Sequence, residues 1–185
     1  MSTADFAAES RSKPPSLGRR FAAVALDYLV ILAWVAAVTA LGVAVRALAP
    51  GLSETVFGHP LSGELVGFVL LTLPVLAYFV LTEASPSGGT WGKRRTGLRV
   101  VSLDGRRIRP LRSSVRTAVK LLPWELSHFA IWQLSAGPTV PAPLPYLALG
   151  LVWTLVGATL VTALVTRRRR AVHDLIAGTM VLDTR

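Results

Sequence analysis

From Arg20 to Val45 only Asp27 and Thr39 interrupt an apolar run of ~26 residues, enough to cross a ~30 Å hydrocarbon core with some tilt. No other feature constrains the fold as strongly, because a backbone in hydrocarbon must satisfy its own N–H and C=O groups, which makes such a run a helix. A second run covers Leu61 to Thr82 and a third Pro145 to Thr166, closed by the basic stop Arg167 to Arg170. Between them, residues 119–136 are apolar apart from Lys120, Glu125, Ser127, His128, Gln133 and Ser135. Only Leu121 to Ala136 there suits hydrocarbon, which is short for a span, so the segment is expected to cross with Lys120 snorkelling or the bilayer thinning locally, a re-entrant helix being the alternative. Pro74 predicts a kink in the second span.

The chain has 185 residues, 52% apolar and 16% charged, with no cysteine. That balance excludes an ordinary soluble domain, and the missing thiols exclude disulfides, thiolate metal sites and cysteine nucleophiles. A net charge of +10 would suggest nucleic acid in a soluble chain. With four spans and both termini in the cytoplasm, however, 19 of the 20 Lys and Arg residues lie inside and only Arg46 outside. The excess is therefore topological, suited to anionic lipid headgroups rather than nucleic acid. The expected fold is an all-α membrane protein of the bacterial cell (inner) membrane: a disordered cytoplasmic tail over 1–17, then one transmembrane domain over 18–185 with spans near 20–45, 61–82, 119–136 and 145–166. Asp5 and Glu9 precede the basic residues and the first run is too long for a signal peptide, so it reads as an uncleaved anchor.

The extramembrane parts are predicted from turn chemistry. Residues 46–60, with Pro50, Gly51, Gly58 and Pro60, form a short loop. Glu83 to Gly105 is turn-rich and basic, and Asp104-Gly105 between Leu98–Leu103 and Arg106–Ile108 favours a type I′ turn, hence a small β-hairpin. Ala171 to Leu182 is too short to cross and is expected to lie at the cytoplasmic interface.

Polar residues in hydrocarbon are the candidate sites. Arg20 and Asp27 share one helix face, but helical side chains lean toward the N-terminus, so each is expected to find its partner elsewhere. Arg20, with Arg19 as its neighbour and competitor, lies at the depth of His173 and Asp174, and Arg20 with Asp174 is the better ion pair. Asp27 matches the depth of Glu125 and His128 on the third span, a grouping of the kind used in proton or cation pathways. The alternative is that Asp27 only fixes packing. Glu83, at a span end, is expected to reach interfacial water. His128 would titrate near neutral pH and make the site pH-sensitive. Glu125-x-x-His128 has the spacing of a di-iron bundle motif but occurs once, which argues against a metal site. The Gly88 to Lys93 loop lacks Walker spacing, no Gly-x-Ser-x-Gly occurs, and no cofactor or enzymatic chemistry is expected.

Three pieces together resemble the RDD family of small membrane proteins, named for one arginine and two aspartates: Arg19-Arg20-Phe-Ala-Ala-Val-Ala-Leu-Asp27, Gly89-Thr90-Trp91-Gly92-Lys93-Arg94 leading to Gly97-Leu98-Arg99-Val100, and His173-Asp174-Leu-Ile-Ala-Gly178-Thr179. The resemblance runs from Leu17 to Val181. It implies a polar cluster of Arg20, Asp27 and Asp174, with Thr90, Gly92 and Lys93 as accessory loop residues. For activity it implies either transport, with cation and proton exchange among some members, or an accessory place in a larger assembly. A homo-oligomer or a larger membrane complex is expected in either case.

Overall fold

The computed structural model describes residues 14–57, 60–135 and 139–185. Most of the expected tail, His59 and the start of the 137–145 connector lie outside the described residues. At the tail's end Pro15 is buried, and its carbonyl accepts a 3.0 Å bond from Arg169 Nη1, so order begins before Leu17.

Helix α1 spans Leu17–Leu48 and α2 Pro50–Phe57, so the expected 46–60 loop is largely a second helix. Its Pro50 stands in the first turn, where a missing N–H costs nothing. Then come α3 (Pro60–Gly67), a π-helical turn (Phe68–Thr72) and α4 (Leu73–Ala84). The remaining elements are α5 (Trp91–Arg95), β1 (Leu98–Ser102), α6 (Pro110–Ser135), α7 (Pro143–Val165), α8 (Val172–Ile176) and β2 (Thr179–Asp183). Three helical stretches are long and apolar enough to cross a membrane: Leu17–Leu48, Leu61–Ala84 and Pro143–Val165. The expected fourth, 119–136, falls as far as Ser135 within the single 26-residue helix α6, which carries Arg112, Arg116, Lys120 and Glu125 along its length.

The described residues divide into two compact units. The first comprises, among the described residues, 14–30, Leu76–Lys120 and Gly157–Arg185. Its centre is an antiparallel pair, β1 with β2, in the register Leu98↔Asp183, Val100↔Val181 and Ser102↔Thr179. Ala23, Leu98, Val100, Ile108 and Val181 form its buried apolar cluster. The hairpin expected around Asp104-Gly105 is thereby corrected. A turn forms, with Ser102 N–H donating to Arg106 O at 2.9 Å, but it is not the type I′ turn expected, since Gly105 (φ 79°) and not Asp104 takes the left-handed conformation, and beyond it only the bridge Val101↔Arg107 remains. Pro110 opens α6 immediately afterwards, leaving the second arm too short to be a strand, and β1 pairs instead with the chain's C-terminal segment. That segment, expected as an interfacial stretch, is a helical turn and a strand, with Met180, Val181 and Leu182 buried. Both short helices end the same way: Gly97 (φ 69°) and Gly178 (φ 62°) adopt the left-handed conformation that closes a helix and launches a strand.

The second unit comprises Ile31–Val75 and Leu121–Val156. Pro74 acts here as expected, though through a π turn rather than a simple kink. Proline has no N–H for the Leu70 carbonyl four residues earlier, and the Leu73 N–H reaches back to Phe68 O instead. The Trp34 indole N–H fills the vacancy, donating to Leu70 O at 2.8 Å. Gly63 lets the Trp132 ring approach so closely that a Cβ would sit 2.8 Å from it. Many large apolar side chains on these helices, Leu41, Val43 and Trp153 among them, are exposed, as lipid-facing residues are.

Candidate functional site

Two polar constellations lie in the first unit. One is built on Asp27, which is 3% exposed. Tyr78 Oη donates to its Oδ1 at 2.9 Å, the Gly92 N–H donates to the same oxygen at 2.9 Å, and Thr90 Oγ1 donates to Oδ2 at 2.5 Å. All three donors are neutral. Thr90 is also the N-cap of α5, accepting from the Lys93 N–H at 3.3 Å, so one hydroxyl caps the helix and binds the carboxylate. Tyr78 Oη in turn accepts from the Trp91 N–H at 3.1 Å. Gly92 is required for space: a Cβ there would stand 2.2 Å from the Ala23 carbonyl. The loop before α5 is thus pressed onto α1 at the aspartate itself.

The other constellation is ionic. Glu83, fully buried, takes Lys93 Nζ at 2.8 Å on one oxygen and Arg116 Nη1 at 2.6 Å on the other. Arg116 continues to Asp174, with Nη2 2.9 Å and Nε 3.0 Å from Oδ1. Thr179 Oγ1 donates to the same oxygen at 3.1 Å, and the Ala171 N–H to Oδ2 at 3.2 Å, closing the turn of α8. Burial by itself would push the Asp174 carboxyl up. The Arg116 charge outweighs it, helped by Arg20, and holds the group well below the usual carboxylate range. Burial would likewise lower the Arg116 guanidinium, yet Glu83 and Asp174 together raise it above its ordinary value. His173 is pushed down to about 3, by burial first and then by the Arg116 charge, so its imidazole is neutral.

The expected Arg20 to Asp174 pair is loose. Arg20 Nη2 lies 4.0 Å from Asp174 Oδ2, its Nη1 donates to the Arg169 carbonyl, and Nε and Nη2 are buried without a hydrogen-bond partner among the described residues. Arg116 holds the position instead, because three of its nitrogens bond carboxylate oxygens. Arg19 turns to Asp183, donating from Nη1 at 2.7 Å. Glu83 is a second correction: expected in interfacial water, it is held in the protein by two cations. Sequence reasoning missed Glu83, Arg116 and Tyr78. The available signal was an amphipathic α6 with an arginine four residues before Lys120, next to a span ending in a carboxylate.

Asp27 does not take Glu125 and His128 as partners. Those two pair with each other in the second unit, His128 Nδ1 lying 3.5 Å from Glu125 Oε1, and Thr72 Oγ1 donates to the same oxygen. The Trp124 ring stands edge-on to His128 at 4.6 Å. Tyr78 and the Thr90 loop hold Asp27 instead, with hydroxyl and amide donors already aimed at it. Lys120, expected to snorkel, lies over the Phe79 ring at 3.2 Å from its centroid. Among the described residues no group of three or more His, Asp or Glu side chains could hold a metal ion.

Comparison with curated proteins and with solved structures returns no match. The sequence profile of the RDD family matches residues 14–178, a stretch that includes Arg20, Asp27, the Thr90 loop and Asp174. With most of its length matched and with three membrane-length apolar helices, the chain belongs to the RDD family.

Proposed function

We propose that this protein is a non-enzymatic accessory or assembly subunit of a membrane complex, presenting a basic surface to anionic lipid or to a protein partner. The observation that carries the reading is the saturation of Asp27, buried and bonded by Tyr78, Thr90 and Gly92 at 2.5–2.9 Å. A carboxylate that carries a solute or proton must exchange partners. One held by three protein donors is suited to fixing a loop. In this reading Asp27 ties α1 to the α5 loop, while Arg116 ties α6 to α4 and α8, so that the basic loop is presented rigidly.

Charge placement supports a bacterial inner-membrane orientation with cytoplasmic termini. Counted over the sequence, residues 1–30, 76–120 and 157–185 carry 19 Lys and Arg against seven Asp and Glu; residues 31–75 and 121–156 carry one against three. Crossing by α6 would complete four spans, and a homo-oligomer or larger complex, without nucleic acid, is the proposed setting. The test is Asp27→Asn in purified protein. The expected result is a lower melting temperature, with no cation flux from either wild type or variant in proteoliposomes. Flux in wild type that Asp27→Asn abolishes, with melting unchanged, overturns the reading.

One observation favours the second reading, small-solute or cation/proton transport: Glu125, His128 and Thr72 place a carboxylate, an imidazole and a hydroxyl together among otherwise apolar helices. In that case Glu125→Gln abolishes flux.

A further inference from the structure

The turn after α4 brings two serines against two arginines that have no ion-pair partner among the described residues. Ser85 Oγ lies 2.7 Å from Ser87 Oγ and 2.6 Å from the Thr82 carbonyl, to which it donates. Arg94 Nη1 reaches Ser87 Oγ at 3.4 Å, and Arg99 Nη2 reaches the Pro86 carbonyl at 3.5 Å. Both contacts stand at the outer limit of a hydrogen bond, so these guanidinium groups keep most of their donor capacity. Arg99 Nε is buried with no partner among the described residues. Neither arginine has a carboxylate partner among them: Glu83 belongs to Lys93 and Arg116, and Asp104 to Arg106 at 3.4 Å.

The site is also held in shape. Gly88 (φ 64°) packs on the Arg99 stem so closely that a Cβ would lie 2.7 Å from Cγ and Nε, and the Gly88 carbonyl accepts the Val100 N–H at 2.7 Å. The strand therefore fixes the turn and the arginine together. Two guanidinium forks beside an exposed hydroxyl match a tetrahedral oxyanion, which accepts paired N–H bonds from each. The turn directly follows the apolar stretch Leu61–Ala84, which brings it to headgroup depth in a membrane-spanning chain.

We infer that Ser87, Arg94 and Arg99 form a phosphate-binding site that takes the phosphodiester of an anionic lipid. The inference rests on the lipid-contact reading above and names its place in the chain. The test uses the full chain in nanodiscs of phosphatidylglycerol and phosphatidylcholine, with retained phosphatidylglycerol counted by native mass spectrometry. Arg94→Gln with Arg99→Gln is expected to weaken retention about tenfold, equivalent to ~1.4 kcal/mol. The charge-matched pair Arg106→Gln with Arg109→Gln, exposed elsewhere, is expected to change it little. Arg94→Gln alone, on an exposed side chain, gives a smaller loss of about threefold and covers a double variant that fails to fold. Ser87→Glu, which supplies its own carboxylate to the two arginines, is expected to release the lipid and raise the melting temperature.

Equal loss in both double variants overturns the site and leaves general attraction to anionic lipid standing. No loss in any variant overturns the site and the lipid-contact reading together. Inorganic phosphate distinguishes the source: if phosphate stabilises wild type but not the Arg94, Arg99 variant, and wild type retains no lipid, the same oxyanion site serves a soluble phosphate.

Discussion

Gly92 shows how little room separates the loop from the first helix. An alanine there would put a methyl group 2.2 Å from the Ala23 carbonyl and 2.9 Å from Asp27 Oδ1. Neither neighbour can yield: one is helix backbone, the other a carboxylate held by Tyr78 and Thr90. Gly92→Ala must push the loop away and break the Gly92 N–H bond to Asp27, so we expect a loss of about 2–3 kcal/mol in stability, read as a lower melting temperature in detergent. His173 tests the same unit by pH. Its folded pKa of about 3 lies below the ordinary 6.5, so between those values the unfolded chain takes up a proton that the folded chain refuses. Stability therefore falls as pH drops below about 6.5, by roughly 2 kcal/mol at pH 5 from this group. His173→Gln should flatten the melting temperature between pH 5 and 7; a slope identical to wild type would remove the histidine from the account.

At the level of elements, the vacancy that Pro74 leaves is filled by Trp34. Trp34→Phe keeps an aromatic side chain, though a smaller one, and removes the N–H, leaving the Leu70 carbonyl without its donor. We expect a loss of about 1–2 kcal/mol, whereas Trp34→Phe combined with Pro74→Ala should recover much of it, because the helix regains its own donor. This pair also marks where sequence reading succeeds and stops. Long apolar runs announce α1, the Leu61–Ala84 stretch and α7 because hydrocarbon leaves the backbone one solution, and Pro74 announces an interruption. What fills the interruption is a long-range choice. The same holds for β2: Thr179-Met-Val-Leu182 is four residues without helical or strand periodicity, equally suited to a bilayer interface, and only β1's open edge makes it a strand. Asp27 and Asp174 could be singled out as carboxylates in or beside apolar segments, and Thr90, Gly92 and Lys93 through the resemblance to the RDD family. Their partners Tyr78, Glu83 and Arg116 could not, since a tyrosine in a span, a glutamate at its end and an arginine on an amphipathic face all have ordinary explanations.

For the molecule as a whole, the question is whether one cation really joins three segments of chain. Arg116, 2% exposed, is bonded to Glu83 at the end of α4 and to Asp174 in α8. Removing it leaves two buried carboxylates with unequal relief: Glu83 keeps Lys93 at 2.8 Å, while Asp174 keeps Thr179, a backbone N–H, the neutral His173 imidazole at 3.8 Å and an arginine 4.0 Å away. Arg116→Met should therefore cost about 3–5 kcal/mol, the usual consequence of a buried charge left unpaired. If the cost arises at Asp174, adding Asp174→Asn to Arg116→Met restores a large part of it, and adding Glu83→Gln restores much less. If the arginine mattered only as packing, neither addition would help, because the methionine already fills the space. The asymmetry between the two double variants, measured as melting temperatures of the purified protein, thus separates an electrostatic junction from a steric one. It also tests the accessory role, in which the basic loop stays fixed because α4, α6 and α8 are held by a single guanidinium.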